Sequence, residues 1–550
     1  MIPFFEQIKR YQPTPDEARA RRWIYVPYDR LHDGVGPLRE TKPEDAIVVL
    51  MESRAKGTRR PYHKKKLTFV LSAMRHFALE QAERGCRVVY GYSPTSFSDG
   101  LMELQERWGW AEIVVNRPAE RELRVELREA RQNGLRIRAV SDTAWLSTTE
   151  DFEAVFGKPQ PVDQPGGDER NTQFVSGRRQ YLMDRFYRAM RRKTGFLMQG
   201  AQPIGGQWSY DAENRKPYRG EVPIPERPNF APDEITLEVM QLVERRFPDH
   251  FGTVEGFEMP VTRAEAERGW QFALENMLPH FGPWEDAMSV AHPDLFHSLT
   301  SAPVNLTLLR PVDLVTQTVA AYEAGKIPLQ STEGFVRQLL GWREFMRHIH
   351  EATDGYRTIH KDGAPSFLDA HRALPPVYWG VKSGMRCMDL VVAGVIEKGW
   401  SHHITRLMVL SNLATLCGFS PRELCDWFWF GYVDAYDWVV EPNVIGMSTF
   451  GDGGLTATKP YVSGAAYINR MSDFCGKCAL DPRKSTGPGS CPYTSLYWNF
   501  LERNEAKLAG NQRMRMPLNT MLKKTAADRA ALRERAEEAI GMLERGEVVR

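Results

Sequence analysis

Three of the seven cysteines of this 550-residue chain fall within 17 residues, in FCGKCALDPRKSTGPGSCP (474–492). Cys475 and Cys478 form a C-x-x-C, and Cys491 follows 13 residues later with Pro492 directly behind it. Thiolates gathered in loop sequence call for a soft cation. A structural zinc, the commoner case, and an iron–sulfur cluster both answer that call, whereas a disulfide does not suit a reducing compartment. Either metal takes a fourth ligand from elsewhere: Cys387, Cys417, Cys425 or, for zinc, a histidine. Cys417 (LSNLATLCGF) and Cys425 read as core-filling thiols. Cys387, in SGMRCMDLVV, opens a helix after a glycine and can present its sulfur outward.

Two further stretches carry reactive groups. In SHHITRLMVLSNLATL the residues Ile404, Leu407, Met408 and Leu410 mark a buried helical stripe, with His402, His403 and Arg406 at its N-terminal end. The helix dipole disfavours a protonated imidazole there, and two adjacent histidines suit acid chemistry. DWFWFGYVDAYDW (426–438) holds seven aromatic residues in 13, with Asp426, Asp434 and Asp437 among them. It reads as a stacking surface for a flat ligand or as an aromatic core, and closely spaced tryptophans can also relay single electrons. FVRQLLGWREFMRHIH puts Trp342, Arg343 and Glu344 on one turn of a helix that also carries Arg337, Arg347 and His348. That pattern suits a nucleic-acid backbone and an unstacked base, or a solvated face of ordinary salt bridges.

The elements that must position these groups follow from hydrophobic periodicity. From Arg22 short β-rich runs (WIYVPY, AIVVLMES, CRVVYGY, AEIVVN, LRIRAVSD) alternate with helical ones (KLTFVLSAMRHFALEQAERG, LMELQERWG, ERELRVELREARQNG). The rhythm predicts an α/β domain with a doubly wound parallel sheet over residues 20–148. No G-x-G-x-x-G or P-loop accompanies it. Residues 149–235, rich in proline, glycine and charge around one basic helix, read as an inter-domain linker. Residues 236–500 carry a helical period and predict an all-α domain that includes the cysteine loop. Residues 501–550 read as a helical tail, solvent-exposed from 516. Lys and Arg total 72 against 70 Asp and Glu, a net charge of +2, so any basic face is local. The few, odd-numbered cysteines, the absence of a signal-like start and of a membrane-length apolar run predict a soluble cytoplasmic protein.

Several long motifs together resemble the cryptochrome/photolyase superfamily, and more narrowly its bacterial iron–sulfur branch of prokaryotic (6-4) photolyases and related cryptochromes. They are RPYHKKKL, SAMRHFA, GRRQYLMDRFYRAMRRKTGFLM, GGQWSYDAENRKP, GWREF, HHITRLMVLSN, VDAYDWVVEPNVIGMSTFGDGG and KPYVSGAAYINRMSDFCGKC, and they span nearly the whole chain.

The resemblance implies a Rossmann-like antenna domain, a linker and a helical domain holding FAD. It implies Cys387, Cys475, Cys478 and Cys491 as ligands of a [4Fe-4S] cluster. HSLTSAPVNLTLL looks like the segment that binds FAD phosphates, through Ser298, Thr300, Ser301 and Asn305. Asp434 and Asn443 resemble residues lining the isoalloxazine ring. Trp427 resembles the flavin-proximal electron donor and Trp379 the outer member of that chain. His403, with His402 beside it, matches the lesion-facing histidine, and Tyr461 and Tyr467 resemble aromatics of the lesion pocket. Trp342, Arg343, Glu344, Arg178, Arg179, Arg191, Arg192 and Lys193 would meet UV-damaged DNA. The implied reaction is light-driven electron transfer from reduced FAD to a flipped-out (6-4) photoproduct, with His403 giving or relaying a proton. The implied protein is a monomer, with 6,7-dimethyl-8-ribityllumazine as an antenna.

Three departures stand out. Phe428 follows Trp427 where the branch allows a redox-active tyrosine, and a phenyl ring forms no phenoxyl radical. SRAKGTRR lacks the acidic residue expected opposite a lumazine, and YVPYDRLHD replaces the usual GDQLS-like strand end. Three functions therefore stand at this point: a (6-4) DNA photolyase, a photosensory cryptochrome of the same fold, and a metal-stabilised nucleic-acid-binding protein without photochemistry.

Overall fold

Each β-branched run forms a strand: β1 Arg22–Tyr25, β2 Ala46–Ser53, β3 Arg87–Ser93, β4 Ile113–Asn116 and β5 Ile137–Val140. The structure is a computed structural model that describes residues 3–158, 180–360, 362–363 and 365–550. The strands pair in parallel in the order β3-β2-β1-β4-β5, with Trp23 beside Ile47 on one side and Ile113 on the other. Residues 46–51 are buried on both faces of β2, as a sheet sandwiched between helices requires. Helices Lys64–Glu83, Phe97–Trp108 and Arg121–Gln132 are the crossovers. Ser96 and Asp99 form a capping box at the start of the second, and Gly109 ends it in the left-handed conformation (φ 66°). Because the winding reverses at β1, the carboxyl ends of β1 and β4 open a crevice.

From Glu234 onward the chain is helical. No described helix is long and apolar enough to cross a membrane. Among the described residues four helical stretches widen into π turns, including Arg406–Ser411 and Glu441–Ser448, which pack on each other. The predicted basic helix in the linker is present as Met183–Thr194. One expectation is overturned here. The tail helix Ala526–Glu544 is not a solvated rod, because Leu532, Ala536, Ala539, Ile540 and Leu543 are buried and the helix packs along Pro492–Arg503. Small alanines in the stripe hid its apolar face from a reading of composition.

The two parts are clamped by the run RPYHKKKL. His63 accepts a hydrogen bond from the Lys65 backbone on Nδ1 (3.0 Å) and so donates from Nε2 to the Ile396 carbonyl at 3.0 Å in the helical part. Lys64 pairs with Glu244, Lys65 donates to the Gly256 carbonyl, and Lys66 donates to the carbonyls of Trp429 (2.9 Å) and Ala435. Three successive lysines that look like an anion-binding stripe are buried and spent on this seam. Gly252 lies against the His63 ring at φ 70°, where any Cβ would overlap the imidazole. A second clamp is Trp145, edge-on to Trp438 (4.9 Å between centroids).

Candidate functional site

Helix Arg386–Lys398 carries Cys387 as its second residue. Cys475 opens a single tight turn, Cys478 closes it, and Cys491 caps Pro492–Arg503, whose first helical residue is proline. Arg386 donates to the Phe474 carbonyl at 3.0 Å, tying the helix to the loop. Burial and then the sulfurs of Cys491, Cys475 and Cys478 push the Cys387 thiol well up. Burial and the neighbouring thiols likewise raise Cys491 to about 12, and burial with Cys478 raises Cys475 to about 11. The four sulfurs are thus mutual neighbours. Cys417 and Cys425 are buried core residues, as the sequence indicated.

Asp434 anchors a second constellation. Arg406 grips it with both guanidinium nitrogens (3.0 and 2.9 Å), the Ser301 hydroxyl donates to it at 2.7 Å, and Asn305 donates to its backbone carbonyl at 2.8 Å. Burial alone would raise the Asp434 carboxyl; Arg406 and Ser301 overcome that and hold it below its ordinary value. Arg406 also lies 4.1 Å over the Tyr432 ring and donates to the Ser401 carbonyl. Ser298 and Thr300 share a hydroxyl–hydroxyl bond of 2.8 Å at the entry of the one-turn helix Ser301–Asn305. Asn443 sits on the adjoining π turn, donating to the Val439 carbonyl.

At the mouth of this constellation three imidazoles, His297, His402 and His403, bring ring nitrogens within 4.8 Å of one another. His402 is buried with neither nitrogen partnered. His403 is exposed (46%) and its Nε2 lies 3.2 Å from Asp286. Burial opposes its charge, but the hydrogen bond and charge of Asp286, with Glu285 behind, outweigh burial and raise its pKa. Burial, and the neighbouring charge of Asp286, raise the Tyr467 phenol, which with Arg215 borders the same opening. Tyr461 is raised by burial, near Arg513 and Asp211. Sequence reasoning missed His297 and Asp286; the first stands directly before Ser298 in a segment singled out for Ser298, Thr300, Ser301 and Asn305.

Trp427 is fully buried and Trp379 is half exposed (50%). Phe428 stacks on Tyr432 (5.2 Å, 24°) and so faces inward. At the carboxyl ends of the strands a cavity of about 80 Å³ is lined by Tyr28, Glu52, Lys56, Tyr62, Lys66, Glu120 and Tyr436 among others. It has room for about three water molecules. Tyr62 and Tyr436 have hydroxyls without partners, and Lys56 pairs with Glu120 at 2.7 Å. Two carboxylates line the cavity, Glu52 from β2, bonded to Arg75 and Tyr90, and Glu120 from the loop after β4, bonded to Tyr28 and Lys56.

Three of the expected DNA contacts are corrected. Arg343 is largely covered, 4.1 Å over Trp145, and Glu344 is fully buried, accepting from the Ser147 backbone (3.0 Å) and hydroxyl (2.6 Å). Arg191 is buried and donates to the carbonyls of Phe196, Trp208 and Leu197. All three hold elements together, because a helix carrying alternating charges beside a tryptophan reads the same in sequence whether it faces solvent or a partner layer. Trp342 is half-buried, Arg192 is exposed 4.7 Å over Trp208, and Lys193 is exposed and paired with Asp151. Arg178 and Arg179 lie outside the described residues.

Comparison with known proteins gives this geometry a family. Residues 24–164 and 167–259 match the model of the deoxyribodipyrimidine photo-lyase-related protein family. The chain is 40% identical over 515 residues to a protein of Agrobacterium fabrum named (6-4) photolyase, covering 92% of this chain and 97% of that one. In fold it is similar to a bacterial class III photolyase from Agrobacterium tumefaciens (TM-score 0.50, 15% identity, 96% of this chain and 98% of that one). It is likewise similar to a Synechocystis cryptochrome (TM-score 0.51, 14% identity, 78% and 82%). With a five-stranded parallel sheet followed by a helical region, and with 40% identity to one relative along almost its whole length, the chain belongs to the cryptochrome/photolyase superfamily.

Proposed function

We propose that the protein is a DNA photolyase that uses light to repair (6-4) pyrimidine–pyrimidone photoproducts. The observation that carries the reading is an exposed imidazole, His403, paired with Asp286 and lying three residues before Arg406, which grips the buried Asp434. The reading is supported by the name of the 40% identical relative, whose length the chain covers almost completely.

Bound reduced FAD would supply, on illumination, the electron that opens the lesion. Asp434, Arg406, Ser301 and Asn305 offer a pre-paired polar bed beside its site, and the two unpartnered nitrogens of the buried His402 fit a polar ligand edge. Asn443 would line the ring, and Ser298 and Thr300 would meet phosphate. His403 would deliver a proton to the lesion so that the transferred oxygen can return to its own base, while Tyr461 and Tyr467 wall the flipped-out bases. Arg192, Trp342 and Lys193 would meet the DNA; the exposed Lys193–Asp151 pair is weak enough to yield to a phosphate.

The four thiols, close enough to repel one another's charge, suit a [4Fe-4S] cluster held by Cys387, Cys475, Cys478 and Cys491. The strand-end cavity, with its two free phenols and Lys56, suits the fused rings of a lumazine antenna. The protein would act as a cytoplasmic monomer.

The deciding experiment is illumination of oligonucleotides carrying a (6-4) photoproduct or a cyclobutane dimer, with dark controls. Light-dependent loss of the (6-4) product alone supports the reading. A flavin-loaded protein that leaves both lesions intact would overturn it in favour of a photoreceptor.

A further inference from the structure

The three imidazoles at the mouth leave little freedom in how their protons are placed. His297 Nδ1 lies 3.0 Å from the Asp294 carbonyl oxygen. A carbonyl only accepts, so Nδ1 carries the hydrogen and Nε2 of a neutral His297 carries the lone pair. That Nε2 points at His403 Nδ1, 3.4 Å away. On its other side His403 Nε2 faces the Asp286 carboxylate at 3.2 Å. A neutral His403 has one hydrogen for two acceptors. With it on Nε2, two lone pairs oppose each other across the 3.4 Å gap; with it on Nδ1, a lone pair opposes the carboxylate at 3.2 Å. Only the imidazolium satisfies both neighbours.

We propose that His297 is a positioning residue that clamps His403 as an imidazolium: it accepts the Nδ1 hydrogen while Asp286 accepts the Nε2 hydrogen, and departure of one proton releases the ring. Proton balance is simple. His403 gives one proton to its substrate and becomes neutral, one of its two contacts turns repulsive, and the exposed edge regains a proton from water. The charged and titratable groups facing the pair favour this division. Asp286 and Glu285 come from the segment before, His402 and Arg406 share the His403 helix, Arg227 reaches His297 from the linker, and Arg215 and Tyr467 border Asp286. Burial, followed by the charge on His403, keeps His297 far below its ordinary pKa, so it stays the acceptor. The same holds for His402, lowered by burial and then by His297 and His403. His297 also packs against His402, rings stacked at 4.6 Å, which fixes its plane. The clamp stands on geometry alone; its use in repair rests on the function proposed above.

The test is nitrogen NMR of imidazole-labelled, flavin-loaded protein in the dark, with the His403 signals assigned by substitution. The wild type should show both His403 nitrogens protonated at pH 7. His297→Leu should lower the His403 midpoint by about one pH unit, a tenfold change in proton affinity, and His297→Gln, whose amide oxygen accepts, should restore most of it. In Asp286→Asn, which keeps His297 intact, the neutral ring should carry its hydrogen on Nδ1. A singly protonated His403 at pH 7 in the wild type, an unmoved midpoint in His297→Leu, or an Nε2 hydrogen in Asp286→Asn overturns the clamp. If His297→Leu does not fold, the wild-type and Asp286→Asn spectra decide alone. The alkaline limb of light-driven repair should move with the NMR midpoint. Shifted NMR with no repair in any form would sink the repair reading and leave the clamp; normal repair with unshifted NMR would do the reverse.

Discussion

Trp427 donates its indole Nε1–H to the backbone carbonyl of Tyr378 at 2.8 Å, and the two rings meet edge to face at 5.3 Å. Tyr378 is the residue before Trp379, so one hydrogen bond and one peptide link join a fully buried indole to a half-exposed one. Phe428, which stacks inward on Tyr432, is bypassed.

This predicts how flavin photoreduction responds to substitution. Trp427→Phe and Trp379→Phe should each cut its yield about tenfold or more, whereas Phe428→Tyr should leave it almost unchanged. Transient absorption of the tryptophan radicals checks this. A large gain in Phe428→Tyr would show that the outward route does not run through Tyr378.

Removing one partner of the Arg406–Asp434 pair strands a buried charge. Asp434→Asn and Arg406→Ala should destabilise the protein by about 3–5 kcal/mol, less for Asp434→Asn because the Arg406 it strands is partly exposed. They should also give colourless protein. Flavin absorbance and denaturant midpoints measure the two effects, and a yellow, stable Asp434→Asn would exclude the carboxylate from the flavin site.

Cys387→Ser should lose iron and the broad near-400 nm absorbance as completely as Cys475→Ser, although the two cysteines sit on different elements. Iron analysis of purified variants decides it. Full iron content in either variant removes that residue from the ligand set.

Acid should loosen the seam between the two parts. Burial pushes His63 down to about 4 from 6.5, so its folded form binds fewer protons than the unfolded chain near pH 5. The stability it contributes is complete above pH 6.5 and is lost as pH falls towards 4; from pH 7 to 5 the loss is about 2 kcal/mol. Denaturant midpoints in the wild type and in His63→Asn measure it. An equally steep decline in both would clear His63.

Gly252→Ala strikes the same seam from the other side. Its positive φ costs about 1–2 kcal/mol for any other residue, and the new methyl group meets the His63 ring. A melting temperature within a degree of wild type would contradict that packing.

The strands were legible because Val and Ile runs such as AIVVLMES admit one reading when both faces are buried. The thiol set was legible in three of its four members from spacing alone, and Cys387 required the family likeness. What escaped was whatever depends on a partner distant in sequence. Glu344 looks solvated until Ser147 arrives from 197 residues away. The HKKK run looks like a phosphate stripe until the carbonyls of Ile396, Trp429 and Ala435 close on it. His297 gains meaning only from His403, 106 residues on. Periodicity reports which face an element hides, not what it is hidden against.

The seam has an optical consequence. Trp145 edge-on to Trp438, Glu344 bonded to Ser147 and the buried lysines tie the sheet to the helices at several points. Tyr436, on the cavity wall, and Asp434 stand two residues apart on one short segment, so a dye in the cavity and a flavin beside Asp434 would share a fixed separation and a fixed angle. Excitation transfer between dipoles falls steeply with both, and this scaffold would set them once, at folding, like the mount of an optical bench.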